Sequence, residues 1–226
     1  MNIQNTAQDN AVALRARLRR ARTEIPDAQR SRGSLLMRGR LFTWLNAVRE
    51  LAAGRGTAAP ATIAAFWPLA HEPDLRPLLQ QWADAGVALA LPAIRDDQSP
   101  LEFRAWTPGD TLESGPFHVQ EPSADRPVLR PDVILVPTLG YTGQADRLGY
   151  GGGYYDRTLA DLRQTGHDFI TIGVAWSEGQ LDDDYRPAPH DERLDAILTP
   201  DGWIPEPPVL GSGAPNGSVV GGFVLR

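Results

Sequence analysis

Apolar and polar residues recur along the chain at two periods, and the periods alternate. From Ala11 the spacing is helical: Leu14, Leu18 and Ala21 fall at i, i+4 and i+7, and the series continues to Ile25. Arg15, Arg19 and Arg22 form the adjacent stripe at the same spacing. Pro26 to Arg32 reads as a turn. A second helix follows over 33–51, with Leu35, Leu36, Leu41, Phe42, Leu45 and Val48, until Gly54-Arg55-Gly56 ends it. T-I-A-A-F-W-P (62–68) predicts a short apolar strand. Asp74 is placed to cap a helix over 75–85, which Gly86 closes. Further strands are predicted over 87–91, 101–106, 132–137, 169–175 and 194–198, with a helical pattern over 157–164. Residues 107–130 read as a long loop with extended pieces, a length that is often functional. Strands alternating with helices predict a single α/β domain whose mostly parallel sheet is flanked by helices. That domain spans 11–203, between a polar, frayed arm (1–10) and a flexible Pro/Gly/Ser-rich tail (204–226). The tail closes on Val219-Val220 and Phe223-Val224-Leu225, which could dock as an edge strand.

Composition narrows the chemistry. The 226 residues are 42% hydrophobic, enough for one domain with a sizeable core. No apolar run approaches the ~18 residues that span a bilayer, and the N-terminus shows no signal-peptide pattern. With no cysteine there is neither a disulfide nor a thiolate nucleophile. A cytoplasmic protein that does not engage a membrane is expected. All 22 basic residues are arginine. The lack of lysine excludes a Schiff-base mechanism and a standard P-loop. Residues 1–60 carry a net charge of +7 and the remainder −13. The basic arm hints at nucleic acid, but the acidic remainder and the lack of an aromatic-interleaved basic motif argue against it.

The densest candidate chemistry is R-L-G-Y-G-G-G-Y-Y-D, residues 147–156, between an apolar strand and a helix. Its four glycines permit dihedrals and close approaches that Cβ-bearing residues resist. A helix N-terminus at that point favours an anion such as phosphate. Arg147 adds a planar cation and Asp156 a carboxylate oxygen for Mg²⁺. A glycine-rich turn that merely brings a helix close to a sheet is the plain alternative.

The whole decapeptide resembles the R-L-G-x-G-x-G-Y-Y-D signature of the 5-formyltetrahydrofolate cyclo-ligases, the methenyltetrahydrofolate synthetases. The resemblance implies a fold of the ribose-phosphate isomerase/CoA-transferase-like group. The activity it implies is an ATP- and Mg²⁺-dependent closure of 5-formyltetrahydrofolate to 5,10-methenyltetrahydrofolate, in a monomer with small-molecule partners only. In the implied mechanism the γ-phosphoryl group moves to the formyl oxygen, and N10 attacks the resulting iminium phosphate. The ATP-binding residues it implies are Arg15, Arg19, Arg147, Leu148, Gly149, Tyr150, Gly151, Gly152, Gly153, Tyr154 and Tyr155, with Arg147 and Tyr155 catalytic. The segment F-W-P-L-A-H-E (66–72) resembles the family's folate-contacting stretch. Trp67 would pack on the flat ring and Glu72 would accept from the aminopterin edge, with Tyr154 beside them. G-P-F-H-V-Q-E-P (115–122) matches the family's G-x-F-x-I-x-E-P. P-H-D-E-R-L-D-A-I-L-T-P (189–200) resembles its closing strand, which makes Asp195 the second Mg²⁺ carboxylate beside Asp156. Asp182-Asp183-Asp184 reads as a solvated acidic turn, and His71, His167 and His190 have no metal-ligand spacing; His118 could be an acid or base, but a loop histidine with no partner in view is more often structural or solvated.

Four positions depart from the family pattern. Ala11 and Gly152 stand where many members carry phosphate-directed lysines, Thr142 where many carry Asp, and Ala145 where many carry Gly. A non-catalytic folate- or nucleotide-binding relative, or a sugar-phosphate isomerase-like enzyme, are the rival expectations.

Overall fold

The first helix is longer than its apolar spacing predicts. In the computed structural model, which describes residues 3–182 and 184–209, helix α1 spans Ile3–Glu24. No Gly or Pro lies between Ile3 and Ala11, so nothing ends the helix where the apolar series stops. The expected turn over 26–32 shrinks to Pro26, which is extended at φ −60°, ψ 146°, and α2 (Asp27–Arg55) starts at once. Asp27 lies in its first turn, where a carboxylate suits the helix dipole. Gly56, left-handed at φ 66°, closes α2 by donating its amide to carbonyls of the last turn. Helix α3 (Arg76–Asp84) follows β1 (Thr62–Ala64). Asp74 sits one residue before the cap position, where it accepts from the Arg76 amide at 3.1 Å.

The remaining principal elements are β2 (Ala88–Ala93), β3 (Glu102–Trp106), β4 (Leu112–Ser114), β5 (Gln120–Pro122), β6 (Val133–Pro137), β7 (Gly140–Tyr141), β8 (Arg147–Leu148), α4 (Tyr154–Gln164), β9 (Ile170–Val174), β10 (Ala196–Thr199) and β11 (Gly202–Ile204). Seven strands form the central sheet in the order β11-β10-β9-β6-β1-β2-β3. Only its two edge pairings, β10–β11 and β2–β3, are antiparallel. The long loop over 107–130 contains the β4–β5 hairpin, and β7–β8 is a second hairpin beside the sheet.

Alternation along β6 distributes its side chains to two cores. Val133 and Leu135 join Met37, Leu41 and Leu78 of α2 and α3, whereas Ile134 and Val136 join Leu159 of α4 and Ile197. A third, smaller cluster seats α1: Leu18, with Leu14 beside it, meets Leu139, Leu148 and Leu181.

The tail begins later than expected. Gly202–Ile204 pairs with β10, and the Pro208 carbonyl accepts from Trp44 Nε1 at 2.8 Å, so the chain stays on the domain to that point. The tail beyond 209, with its expected docking strand, lies outside the described residues, as does Asp183. Among the described residues no helix is long and apolar enough to cross a membrane.

Candidate active site

From β1 the sheet continues to β2, and from β6 it continues to β9 in the opposite direction. The order therefore reverses between β1 and β6, where an open α/β sheet forms its ligand crevice. A cleft of about 640 Å³ opens there, at the carboxyl ends of the strands. Phe66, Trp67, Pro92, Ile94 and Pro137 supply apolar wall at or just past those ends. Residues 147–156 line it in full, together with Arg15, Arg19 and Glu72. Apart from Asp195, the residues expected at the site are thus brought to one cavity.

The glycine-rich turn joins β8 to α4. Gly151 (φ 103°) and Gly153 (φ 66°) take dihedrals that favour glycine, and Gly153 is the N-cap of α4 with no side-chain cap. Helix α4 starts at Tyr154, three residues before its predicted start, so Tyr154, Tyr155 and Asp156 form its first turn. At Gly149 a Cβ would overlap the Arg147 guanidinium. That absence of a side chain lets Arg147 fold back and place Nη2 on both Asp156 oxygens, at 3.1 and 3.0 Å. The Glu192 amide also donates to Asp156, at 3.2 Å. Among the described residues Arg147 Nε and the Tyr155 hydroxyl are buried without a hydrogen-bond partner, and the Arg147 guanidinium lies over the Tyr155 ring at 5.8 Å. Burial pushes the Tyr155 phenol well above its ordinary value.

Helix α1 clasps the turn. Arg15 Nε donates to the Gly149 carbonyl at 2.9 Å, and Arg19 Nη2 to the Tyr150 carbonyl at 3.2 Å. Arg22, one further step along the stripe, is buried; its Nη2 donates to the Thr138 carbonyl at 3.0 Å and its Nη1 to the Tyr150 hydroxyl. That hydroxyl donates in turn to Glu72 Oε1, while the Leu69 amide donates to Oε2 at 2.8 Å. Burial and the neighbouring Glu72 carboxylate push the Tyr150 phenol up, which keeps it protonated. Expected only to accept from a pterin edge, Glu72 already accepts from Tyr150 and from the backbone.

Trp67 meets Trp106 edge-on at 5.7 Å between ring centroids. Across the cleft, Tyr154 sits under the Arg157 guanidinium, 4.8 Å from its ring centroid, and meets Phe117 at 6.1 Å.

Asp195 does not join Asp156. It immediately precedes β10, at the amino end of the parallel strands, and accepts from the Thr171 amide and hydroxyl at 2.7 and 2.8 Å. The cleft lies at the other end of the sheet, so the metal role expected of Asp195 is corrected. Besides Glu72, which Tyr150 and the Leu69 amide already engage, the carboxylate that lines the cleft with Asp156 is Asp191. Nothing in P-H-D-E-R-L-D separates the two aspartates without knowledge of where the strand begins. Arg22 had a signal, since it continues the Arg15–Arg19 stripe; Phe117 and Asp191 had none beyond the segments containing them. Among the described residues no three metal-ligating side chains converge. Two carboxylates suit a hard cation whose remaining ligands come from substrate oxygens and water.

Two departures have local explanations. Thr142 accepts from the amides of Gln144 and Asp146 at 3.2 Å each, the bonds a short acidic side chain makes in the same kind of turn. Ala145 is left-handed, at φ 62°, in a position that suits glycine.

The family model for the 5-formyltetrahydrofolate cyclo-ligase family matches residues 7–200. A 5-formyltetrahydrofolate cyclo-ligase of Mycolicibacterium smegmatis is 31% identical over 195 residues, which cover 83% of this chain and 92% of the relative. Two solved structures share the fold. A 5,10-methenyltetrahydrofolate synthetase from Mycoplasma pneumoniae has a TM-score of 0.65 at 21% identity, over 84% of this chain and 98% of that one. The Aquifex aeolicus 5,10-methenyltetrahydrofolate synthetase has a TM-score of 0.64 at 23% identity, over 85% and 91%.

Proposed function

We propose, on the premise that the chain belongs to the 5-formyltetrahydrofolate cyclo-ligase family, that the cleft between β1 and β6 is where it binds ATP, Mg²⁺ and its folate. Its reaction is the closure of 5-formyltetrahydrofolate to 5,10-methenyltetrahydrofolate. The observation that carries the site assignment is the junction of the glycine-rich turn and Arg147, whose buried Nε lacks a partner among the described residues. An anionic oxygen is the acceptor such a group calls for.

An N-formyl oxygen is a poor leaving group. Taking the γ-phosphoryl group of ATP makes it a good one; N10 then attacks the formyl carbon and loses its proton, and the C–O bond breaks to release phosphate. The chain's task is to position charge, as in phosphoryl transfer generally. Arg147 is held by Asp156 so that its cation faces the turn, and Gly151 to Tyr155 present backbone amides at the start of α4. Arg15 and Arg19, which line the cleft and donate to the turn's carbonyls, are further cations. Asp156 and Asp191 would hold Mg²⁺, which when bound offsets phosphate charge. Trp67, Glu72 and Tyr154 take the folate, with Phe117 facing Tyr154 across the rim. The reading is that of a cytoplasmic enzyme acting on small molecules.

The test mixes the protein with 5-formyltetrahydrofolate, Mg²⁺ and ATP and follows methenyl absorbance, with ATP omitted as the control. ATP-dependent product is expected. Folate binding without product at saturating ATP would replace this reading with that of a non-catalytic relative.

A further inference from the structure

Three elements meet at one phenol. Arg22 comes from α1, Tyr150 from the glycine-rich turn and Glu72 from the loop after β1, and all three line the cleft. The Arg22 and Glu72 side chains are 9% and 3% exposed, so the charges of this pair are withdrawn from water. Yet guanidinium and carboxylate do not meet within hydrogen-bond distance: Arg22 Nη1 stands 3.6 Å from Glu72 Oε1. The Tyr150 hydroxyl occupies the shorter path, accepting from one and donating to the other. Each end of the bridge is fixed independently, Arg22 by the Thr138 carbonyl and Glu72 by the Leu69 amide. Of the three groups only the phenol both donates and accepts. Without it, the guanidinium and the carboxylate are free to close on each other, which turns Glu72 toward α1.

We infer that Tyr150 is a positioning residue: its hydroxyl sets the Glu72 carboxylate in the cleft wall against the ring system of the folate. The inference rests on the assignment of Glu72 to the folate made above. The Tyr150 ring has a separate job, lying against the Arg19 and Arg22 guanidinium groups at 5.8 and 5.6 Å. Tyr150→Phe keeps the ring and removes only the bridge.

Equilibrium binding of 5-formyltetrahydrofolate, followed without nucleotide by tryptophan fluorescence, is compared in the parent, Tyr150→Phe, Glu72→Gln and the double variant. Losing a hydrogen bond to a charged group predicts binding about tenfold weaker for Tyr150→Phe. The double variant should bind no more weakly than Glu72→Gln alone, because the hydroxyl acts through that carboxylate. In turnover, Tyr150→Phe should raise KM for the folate by a larger factor than it changes kcat or KM for ATP. Additive losses in the double variant, folate affinity matching the parent in Tyr150→Phe, or a loss confined to kcat would each overturn the inference. A urea midpoint for each variant separates misfolding from lost affinity; if Tyr150→Phe does not fold, the hydroxyl is a structural support and the inference fails. A parent protein that binds no 5-formyltetrahydrofolate would remove the folate assignment itself, a result distinct from an unresponsive variant.

Discussion

Replacing Asp156 by Asn tests the ion pair that orders the turn. Both Asp156 oxygens accept from Arg147 Nη2, and the Glu192 amide donates to Oδ1. Side-chain exposures of 5% for Arg147 and 13% for Asp156 leave little water to solvate either charge alone. Truncating one partner of a buried pair costs roughly 3–5 kcal/mol. Asparagine keeps one oxygen for Nη2, so the expected loss is near or below the bottom of that range, about 2–3 kcal/mol. Loss of a first-turn carboxylate at α4 adds about 0.3–1 kcal/mol. A domain of ordinary stability, roughly 5–15 kcal/mol, would still fold. Urea titration should show a lower midpoint with an unchanged slope. Turnover, assayed well below the transition, should fall at least about a hundredfold, since a charged hydrogen-bonding partner and a metal carboxylate are removed together. Folate affinity should be unaltered. A stability change within about 0.5 kcal/mol, the range of an ordinary surface substitution, would refute the structural argument. Unchanged turnover would remove Asp156 from the metal site.

Gly152→Lys asks whether position 152 faces phosphate. Its backbone accepts a side chain, but the new Cβ would come within 2.8 Å of the Tyr154 ring, which must turn aside. KM for ATP should fall about tenfold while KM for the folate rises; an unchanged KM for ATP would mean that this position does not meet the nucleotide. Ala145→Gly should relieve a left-handed alanine and raise stability by up to about 1 kcal/mol, less whatever the lost buried methyl and the freer unfolded chain take back. A clear loss in urea titration would show that the methyl matters more than the dihedral. Glu121 is buried beneath Gly115, with Oε1 accepting from the Ile94 amide at 3.1 Å, and burial raises its carboxyl above the ordinary range. The folded state therefore binds this proton more tightly than the unfolded one. Its contribution is fully present below the unfolded glutamate pKa and is lost as pH rises through the raised folded value. Glu121→Gln keeps an oxygen for Ile94 and should stabilise the protein at neutral pH while flattening the acid-side slope; an unchanged pH profile would contradict this.

The periodicities placed the principal strands of the central sheet and the helices, although Leu35, Leu36 and Phe42 of α2 are exposed and the β7–β8 hairpin carries no periodic signal. They failed where the apolar signal is silent. Ile3 to Asn10 is helical through lack of a breaker, and Gly202–Ile204 is a strand because β10 offers a free edge beside it. The candidate site was legible as a set of segments because those segments resemble family motifs, and the structure brings them to one cleft. The partners within it were not. Asp191 and Asp195 differ by one helical turn in number, yet lie at the two ends of a strand layer, and which end faces the cleft depends on where β10 starts. Glu72 read as a free acceptor because nothing in F-W-P-L-A-H-E announces Tyr150, 78 positions away.

The arginines of α1 show how a turn without lysine can still face an anion. Arg15 and Arg19 of α1 donate to the carbonyls of Gly149 and Tyr150, and Arg157 of α4 donates to that of Gly152. In a trans peptide the N–H of the following residue points opposite to that carbonyl. Each guanidinium on a carbonyl therefore directs an amide, of Tyr150, Gly151 or Gly153, away from that guanidinium. The same contact places positive charge close to the turn without requiring the cation to touch the ligand. Stripped of these arginines, the glycines would be free to turn their carbonyls to either side. The stripe on α1 is thus part of the turn's conformation before it is part of any ligand's shell, which is why its spacing matches the helix and its targets are backbone oxygens.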